Sequence, residues 1–278
     1  MSEQVTTEAE IVIEPQLRVE HIFRDIWRFR DLLWILAERD VRLRYKQTVI
    51  GVAWIVLQPL LASLIFALIF GVFARIPSDG QPYLLFVLCG MTAWNFFSSI
   101  LQRAGNSLVG NGFLITKVYF PRAIIPLAAG LGSLVDLIVS LTVVFGALTL
   151  YHICPGWRVL ALPLFCIMLI VAAVGASLWL SALMVYYRDF MHAMPFILQI
   201  WMYITPVVYA ASLVPAEWII YFSLNPAFVF VEGFRWAILG SNVLTWPMVM
   251  VGTASSIFLL VSGVIYFYSV ERNFADVV

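Results

Sequence analysis

Few side chains in this 278-residue sequence have the type and spacing that bond-making chemistry needs. Gly105 and Gly110 reproduce the G-x-x-x-x-G spacing of a phosphate-binding loop, but Asn111 and Gly112 follow where that loop carries lysine and a hydroxyl residue. Without the lysine the phosphates lack a cation, and without the hydroxyl a metal lacks a ligand, so no nucleotide site is expected there. The 3 cysteines and 3 histidines form no group with metal-ligand spacing. Cys89 and Cys166 lie in apolar runs and Cys154 stands alone in a polar connection, so no internal disulfide is expected. Beyond Lys46 the carboxylates are scattered singly, Asp189 alone on its loop, which leaves no acidic cluster for a divalent metal. The chain reads as carrying no catalytic residue, cofactor or metal of its own. ATP and its magnesium, if they drive it, belong to another chain.

Three features remain that could do physical work. Asp136 sits at the midpoint of a long apolar run, where a carboxylate costs roughly 3 kcal/mol and must face protein or water. No cation is evident at similar depth, so hydrogen bonds to hydroxyls of neighbouring helices are the favoured reading over a place on a pathway. A proton relay would need several such groups. The second feature is the segment 102–122, which mixes Leu114, Ile115, Val118 and Phe120 with Arg103, Lys117 and Arg122, and is stopped by Pro121. Apolar residues on such a loop imply a protein partner or the membrane surface. The third is a set of aromatics that lie deep or cluster: Trp54, Trp94, Phe97, Trp201, Tyr203 and Tyr209. Aromatic rings pack on the C–H faces of sugars, and tryptophan and tyrosine add a hydrogen-bonding tip. As a set they are candidates for lining a passage, although lipid or core packing accounts for any one of them.

The elements that must position these residues are membrane helices. Apolar residues make up 63% of the chain and charged residues 12%, against about 25% charged in a soluble domain. Of the 32 charged residues, 17 lie between Glu3 and Lys46. A span needs about 20 mostly apolar residues, and six segments qualify, near 49–73, 83–101, 123–149, 159–185, 194–212 and 247–270. With a cytoplasmic N-terminus, thirteen Lys and Arg residues fall inside and only Arg75, Arg158 and Arg235 outside. Both termini are therefore expected in the cytoplasm. A net charge of zero suggests no nucleic-acid partner. Small residues such as Gly175 and Ala176, or Gly130 and Gly132, mark close helix packing.

Two further segments do not fit a span. Residues 17–36 place Val19, Ile22, Ile26, Phe29, Leu33 and Leu36 on one face and Arg24, Arg28 and Asp31 on another, which predicts an amphipathic helix lying in the interface. The stretch 213–240 is apolar but broken by Pro215, Glu217, Asn225, Pro226, Glu232 and Arg235. Irregular backbone survives at membrane depth only against protein or water, so it predicts a re-entrant hairpin of two short helices turning at Asn225-Pro226. Three regions follow: a disordered extension over 1–16, the interface helix and its lead-in over 17–48, and a single all-α transmembrane domain over 49–278.

Three patches in order resemble the permease subunits of type-2 ABC exporters, in the branch that exports O-antigen, capsule or teichoic acid. They are Arg39-Asp40-Val41-Arg42-Leu43-Arg44-Tyr45-Lys46 with Gly51, Trp54 and Pro59; Leu114 through Pro126; and Tyr187-Arg188-Asp189-Phe190 with Pro206-Val207-Val208-Tyr209 and Leu224-Asn225-Pro226. The resemblance covers about residues 17–272. It implies half of a channel in a bacterial inner membrane, completed by a second copy and powered by two cytoplasmic ATPase subunits, with a lipid-linked polysaccharide as substrate. It further implies that Leu114, Lys117, Val118, Phe120, Pro121 and Arg122 belong to the helix that couples to the ATPase, and that Trp218, Asn225, Pro226, Glu232 and Arg235 belong to a periplasmic gate. The competing readings are a type-2 exporter of a small molecule such as a drug or haem, a polyprenyl-linked glycosyltransferase, and a scaffold without transport.

Overall fold

The computed structural model describes residues 19–46, 53–271 and 274. The expectations placed on residues 1–16, Arg18, Gly51 and Arg272 lie outside the described residues. Among the described residues every regular element is a helix. In chain order they are α1 Val19–Arg28, α2 Arg30–Lys46, α3 Ala53–Phe73, α4 Tyr83–Gly110, α5 Gly112–Lys117, α6 Ile124–Leu150, α7 Leu162–Tyr186, α8 Asp189–Ile204, α9 Ala216–Phe222, α10 Pro226–Leu239 and α11 Trp246–Val270. The last seven residues of α3, Ala67–Phe73, are wound as π-helix.

Among the described residues, five helices are long and apolar enough to cross a membrane: α3, α4, α6, α7 with the short 3-10 turn before it, and α11. The stretch read as a span over 194–212 is different. Its helix, α8, has 16 residues and ends at Ile204. Pro206 explains the stop, because a proline disfavours helical geometry at the residue before it and cannot donate to the turn behind it. The second span runs longer than its apolar stretch of 83–101: α4 continues for 28 residues, to Gly110. Where one helix is expected over 17–36, the described residues form two. The chain breaks at Phe29, and α2 carries on to Lys46 and packs along α6.

The hub is α4, which packs against α6, α7, α10, α3 and α8. Over its most apolar window 78% of its residues are buried, whereas α3 has 11% buried. α10 lies in the same core, against α4, α7 and α11, with 13 of its 14 residues buried. It starts with a polar cap: the Asn225 Oδ1 accepts the Ala227 N–H, Pro226 occupies the first turn where no donor is needed, and Gly240 closes the far end at φ 74°. α7 and α11 cross backbone to backbone. A Cβ on Gly175 would stand 2.4 Å from the Leu260 nitrogen, and one on Gly263 would stand 2.3 Å from the Gly175 oxygen. Only hydrogen fits at that crossing.

A second, smaller core closes the end of the bundle that carries most of the basic residues. There Leu36 and Ala37 of α2 meet Leu108, Ile115, Phe120, Ile124, Ile125, Leu178, Val185, Phe267 and Phe274. This basic end is where α4 finishes, α6 begins and α11 finishes.

Candidate functional site

At the basic end, α4 stops at Gly110 and the chain turns into α5 at Asn111. The Asn111 Nδ2 donates to the Ser107 carbonyl at 2.8 Å, and its Oδ1 accepts from Arg39 Nη2 at 2.9 Å. Six residues of helix follow, and they are amphipathic in a way that spacing alone did not resolve. Ile115 and Phe120 point inward, 5% and 7% exposed. They were expected on the surface; the small core of the basic end takes them instead. Leu114, Pro121 and Arg122 are half-buried. The outward face is Phe113, Thr116, Lys117, Val118 and Tyr119, with Phe113 and Tyr119 at 70% and 78% exposure. The Lys117 ammonium lies 4.4 Å from the centre of the Phe113 ring. The result is an aromatic, cationic knob on a rigid base.

That base is tied to α11. The Arg122 N–H donates to Glu271 Oε1 at 2.8 Å, and the Arg122 guanidinium donates to the Glu271 carbonyl. A carboxylate thus sits at the start of α6 and a guanidinium at the end of α11, each favoured by the helix dipole it meets. Burial pushes the Glu271 carboxyl above the ordinary carboxylate range, the Arg122 contacts oppose that, and Asp25 adds to it. Glu271 escaped the sequence reading because nothing in spacing joins positions 149 residues apart.

Two guanidiniums reach Asp136. Arg44 Nη1 lies 2.9 Å from its Oδ2, Arg103 Nη2 lies 2.5 Å from the same oxygen, and Arg103 Nη1 donates to Ser133 Oγ at 3.1 Å. The expectation that no cation reaches this depth is corrected. One guanidinium comes from the tail of α2, which packs along α6, and the other from the part of α4 that outruns its apolar stretch.

The aromatics separate into two groups. Trp94 and Phe97 are enclosed within the chain, 4% and 0% exposed, and pack on the half-buried Trp201 with ring centres 6.4 and 5.2 Å apart. Here they brace α4 against α8. Trp54 on α3 and Tyr203 on α8 are exposed, and the half-buried Tyr209 hydroxyl donates to the Tyr203 carbonyl at 3.1 Å.

The polar residues of 213–240 hold the core together. Asn225 accepts from Trp201 Nε1 at 3.0 Å and donates to Thr205 Oγ1 at 2.8 Å. Glu232 and Arg235 form an ion pair at 2.6 Å with 1% and 0% side-chain exposure. Arg235 also donates to the Pro206 and Val207 carbonyls at 2.7 and 2.5 Å, and its guanidinium lies 3.5 Å from the centre of the Phe86 ring. Gly90 makes room for it: a Cβ there would stand 2.7 Å from Arg235 Nη2. Of the residues assigned to a gate, Trp218 is exposed, on α9.

Apolar helices of spanning length define an integral membrane protein. The ABC-2 type transporter family matches residues 31–239, and the chain belongs to it. It is similar to two proteins of Klebsiella pneumoniae named O-antigen export system permease protein RfbA. They are 26% identical over 250 residues and 27% identical over 251, each match covering 89% of this chain and 95% of the relative. The protein of the same name from Myxococcus xanthus is 26% identical over 257 residues, 92% of this chain and 98% of the relative.

Proposed function

We propose that this chain is the permease subunit of an ATP-driven exporter that moves a lipid-linked, O-antigen-like polysaccharide from the cytoplasm to the periplasm. The observation that carries this reading is similarity along nearly the whole length of three O-antigen export permeases. In this reading the chain lies in the bacterial inner membrane with both termini cytoplasmic. α8 and the turn after it make the fifth of six crossings, and α9 and α10 form a hairpin that enters from the periplasmic side and returns. α1 and α2 form the interface element, with Trp27 and Trp34 exposed at headgroup level. Two copies form the channel, and two ATPase subunits, which hold ATP and magnesium, dock on the basic end.

The knob at 113–119 is the docking feature. Closure of the ATPase subunits pushes on Phe113, Lys117, Val118 and Tyr119. Leu114, Phe120, Pro121 and Arg122 pass the displacement to α6 and, through Glu271, to α11. Trp54, Tyr203 and Tyr209 are the aromatics placed to meet substrate, with Trp94, Phe97 and Trp201 bracing them from behind. The test is deletion of the gene followed by staining of surface polysaccharide. Loss of surface polymer with polymer trapped inside the cell is expected. Normal surface polymer in the deletion strain refutes the reading.

A further inference from the structure

From Leu85 to Leu108, α4 is buried on most sides, and the positions left open are Asn95, Ser98, Ser99, Gln102, Arg103 and Asn106. Every one is polar. They follow one another at helical steps of three and four, so they form one stripe along one face. From Asn95 to Asn106 the stripe is about 16 Å long, half the thickness of a hydrocarbon core of about 30 Å.

This inverts the pattern of the other helices. α3 opens outward with Leu57, Leu61, Leu64 and Leu68, and α11 with Met250, Phe258, Val261 and Ile265. Those faces suit lipid. Ser98 and Ser99 return their hydroxyls to the Asn95 and Phe96 carbonyls and tolerate an apolar neighbour. The primary amides of Asn95 and Gln102 each offer two donors and an acceptor, and an open amide face at this depth must meet water or a polar partner; at the end of the stripe the Asn106 Oδ1 is turned inward and buried. One edge of the stripe reaches α6 through Arg103 and Asp136. Turned away from it on the same helix, Trp94 and Phe97 lean on α8. The stripe occupies the arc between those two contacts.

We infer that this stripe is a hydrated wall of the translocation passage and that its occupant is an uncharged, hydroxyl-rich chain. The inference rests on the export reading and places the polar wall on α4. The chemistry selects the occupant. Amides and hydroxyls exchange hydrogen bonds with sugar hydroxyls at any register, so a chain can slide past them. The stripe's guanidinium is engaged by Asp136 and Ser133, so the wall does not hold an anion in place.

The test uses the complete transporter in cells, in a background in which Cys154 and Cys166 are serine, since these are the exposed and half-buried native cysteines. Asn95→Cys, Ser98→Cys and Gln102→Cys are probed with a charged, water-soluble methanethiosulfonate, with Ile138→Cys on the exposed apolar face of α6 as the comparison. Because the reactive species is the thiolate, which needs water, the stripe positions are expected to label at least about tenfold faster than Ile138→Cys. Labelling should slow when polymer is being exported. Ser98→Trp, which narrows the passage, should block export while the complex still assembles and hydrolyses ATP. Labelling no faster than Ile138→Cys overturns the inference. So does cross-linking of two copies through Ser98→Cys without labelling, which would make the stripe a contact between subunits. If the unmutated transporter exports polymer and the stripe is inert, the wall alone is refuted; if the unmutated transporter exports none, the export reading itself fails.

Discussion

Replacing Arg235 with leucine removes one donor from several acceptors at once. The guanidinium lies 2.6 Å from Glu232 Oε1, 2.7 Å from the Pro206 oxygen and 2.5 Å from the Val207 oxygen, in a site with no solvent exposure. Breaking a buried pair from one side costs about 3–5 kcal/mol, and an orphaned buried carbonyl costs roughly 1–3 kcal/mol. These losses share one donor and add less than fully, so Arg235→Leu should lose at least about 4 kcal/mol. The double variant Glu232→Leu/Arg235→Leu removes both charges and leaves only the carbonyls orphaned. It should recover about 2 kcal/mol or more of that loss, because an apolar pair of similar volume replaces an ion pair at little cost. Reversible unfolding of the purified chain in mixed detergent–SDS micelles, followed by circular dichroism, measures both. A single variant within about 1 kcal/mol of wild type would refute the argument that a buried charge is being orphaned. So would a double variant no more stable than the single.

Other perturbations separate packing from surface roles. Gly175→Ala puts a Cβ 2.4 Å from a backbone nitrogen of α11, so the helices must part; a loss of about 2 kcal/mol or more in the same unfolding assay is expected. Tyr119→Glu, on the exposed knob, should leave the folded protein intact and lower export per ATP hydrolysed, whereas Phe120→Glu, 7% exposed, should lower the yield of folded protein itself. Glu271, whose carboxyl burial raises above the ordinary range, binds its proton more tightly in the native state than in the unfolded chain. Its contribution to stability is full below the ordinary glutamate value and is lost as pH rises through the raised native value. Glu271→Gln should flatten that decline and match or exceed wild type at neutral pH, as unfolding across a pH series will show.

The spans were legible because a membrane crossing writes itself as a long uncharged run. What the runs concealed was depth and partnership. α4 outlasts its apolar stretch because Gln102, Arg103 and Asn106 are as helical as their neighbours, and hydropathy marks the edge of hydrocarbon and not the end of a helix. Asp136 looked solitary because Arg44 and Arg103 are 92 and 33 residues away and lie in segments read as outside the membrane. Once α2 is known to pack along α6, their reach is ordinary. Phe120 misled for a different reason: in the short connection between α5 and α6, with apolar residues on several sides, only the position of the core decides which of them is covered. The polar stripe on α4 is written plainly in the sequence, but no periodicity shows it as the open face until the surrounding helices have buried everything else.

One physical problem joins two features that looked separate in the sequence. α8, at 16 residues, is about 24 Å long, shorter than the roughly 30 Å of hydrocarbon. If its first residue lies at the membrane surface, its last lies inside. Pro206 ends it there, and the carbonyls of the turn that follows lose their helical donors at a depth where no water replaces them. Arg235 supplies the donors, bonding the Pro206 and Val207 oxygens. A guanidinium in that place needs a counter-charge, and Glu232, one turn earlier on the same helix, provides it at 2.6 Å. Asn225 completes the arrangement by holding Trp201 and Thr205 on either side of the helix end. The charges that barred 213–240 from being a lipid-facing span are therefore the same groups that allow the preceding helix to stop short. The short helix α8 and the charged helix α10 are two halves of one structural solution, and a substitution that unsettles either should unsettle both.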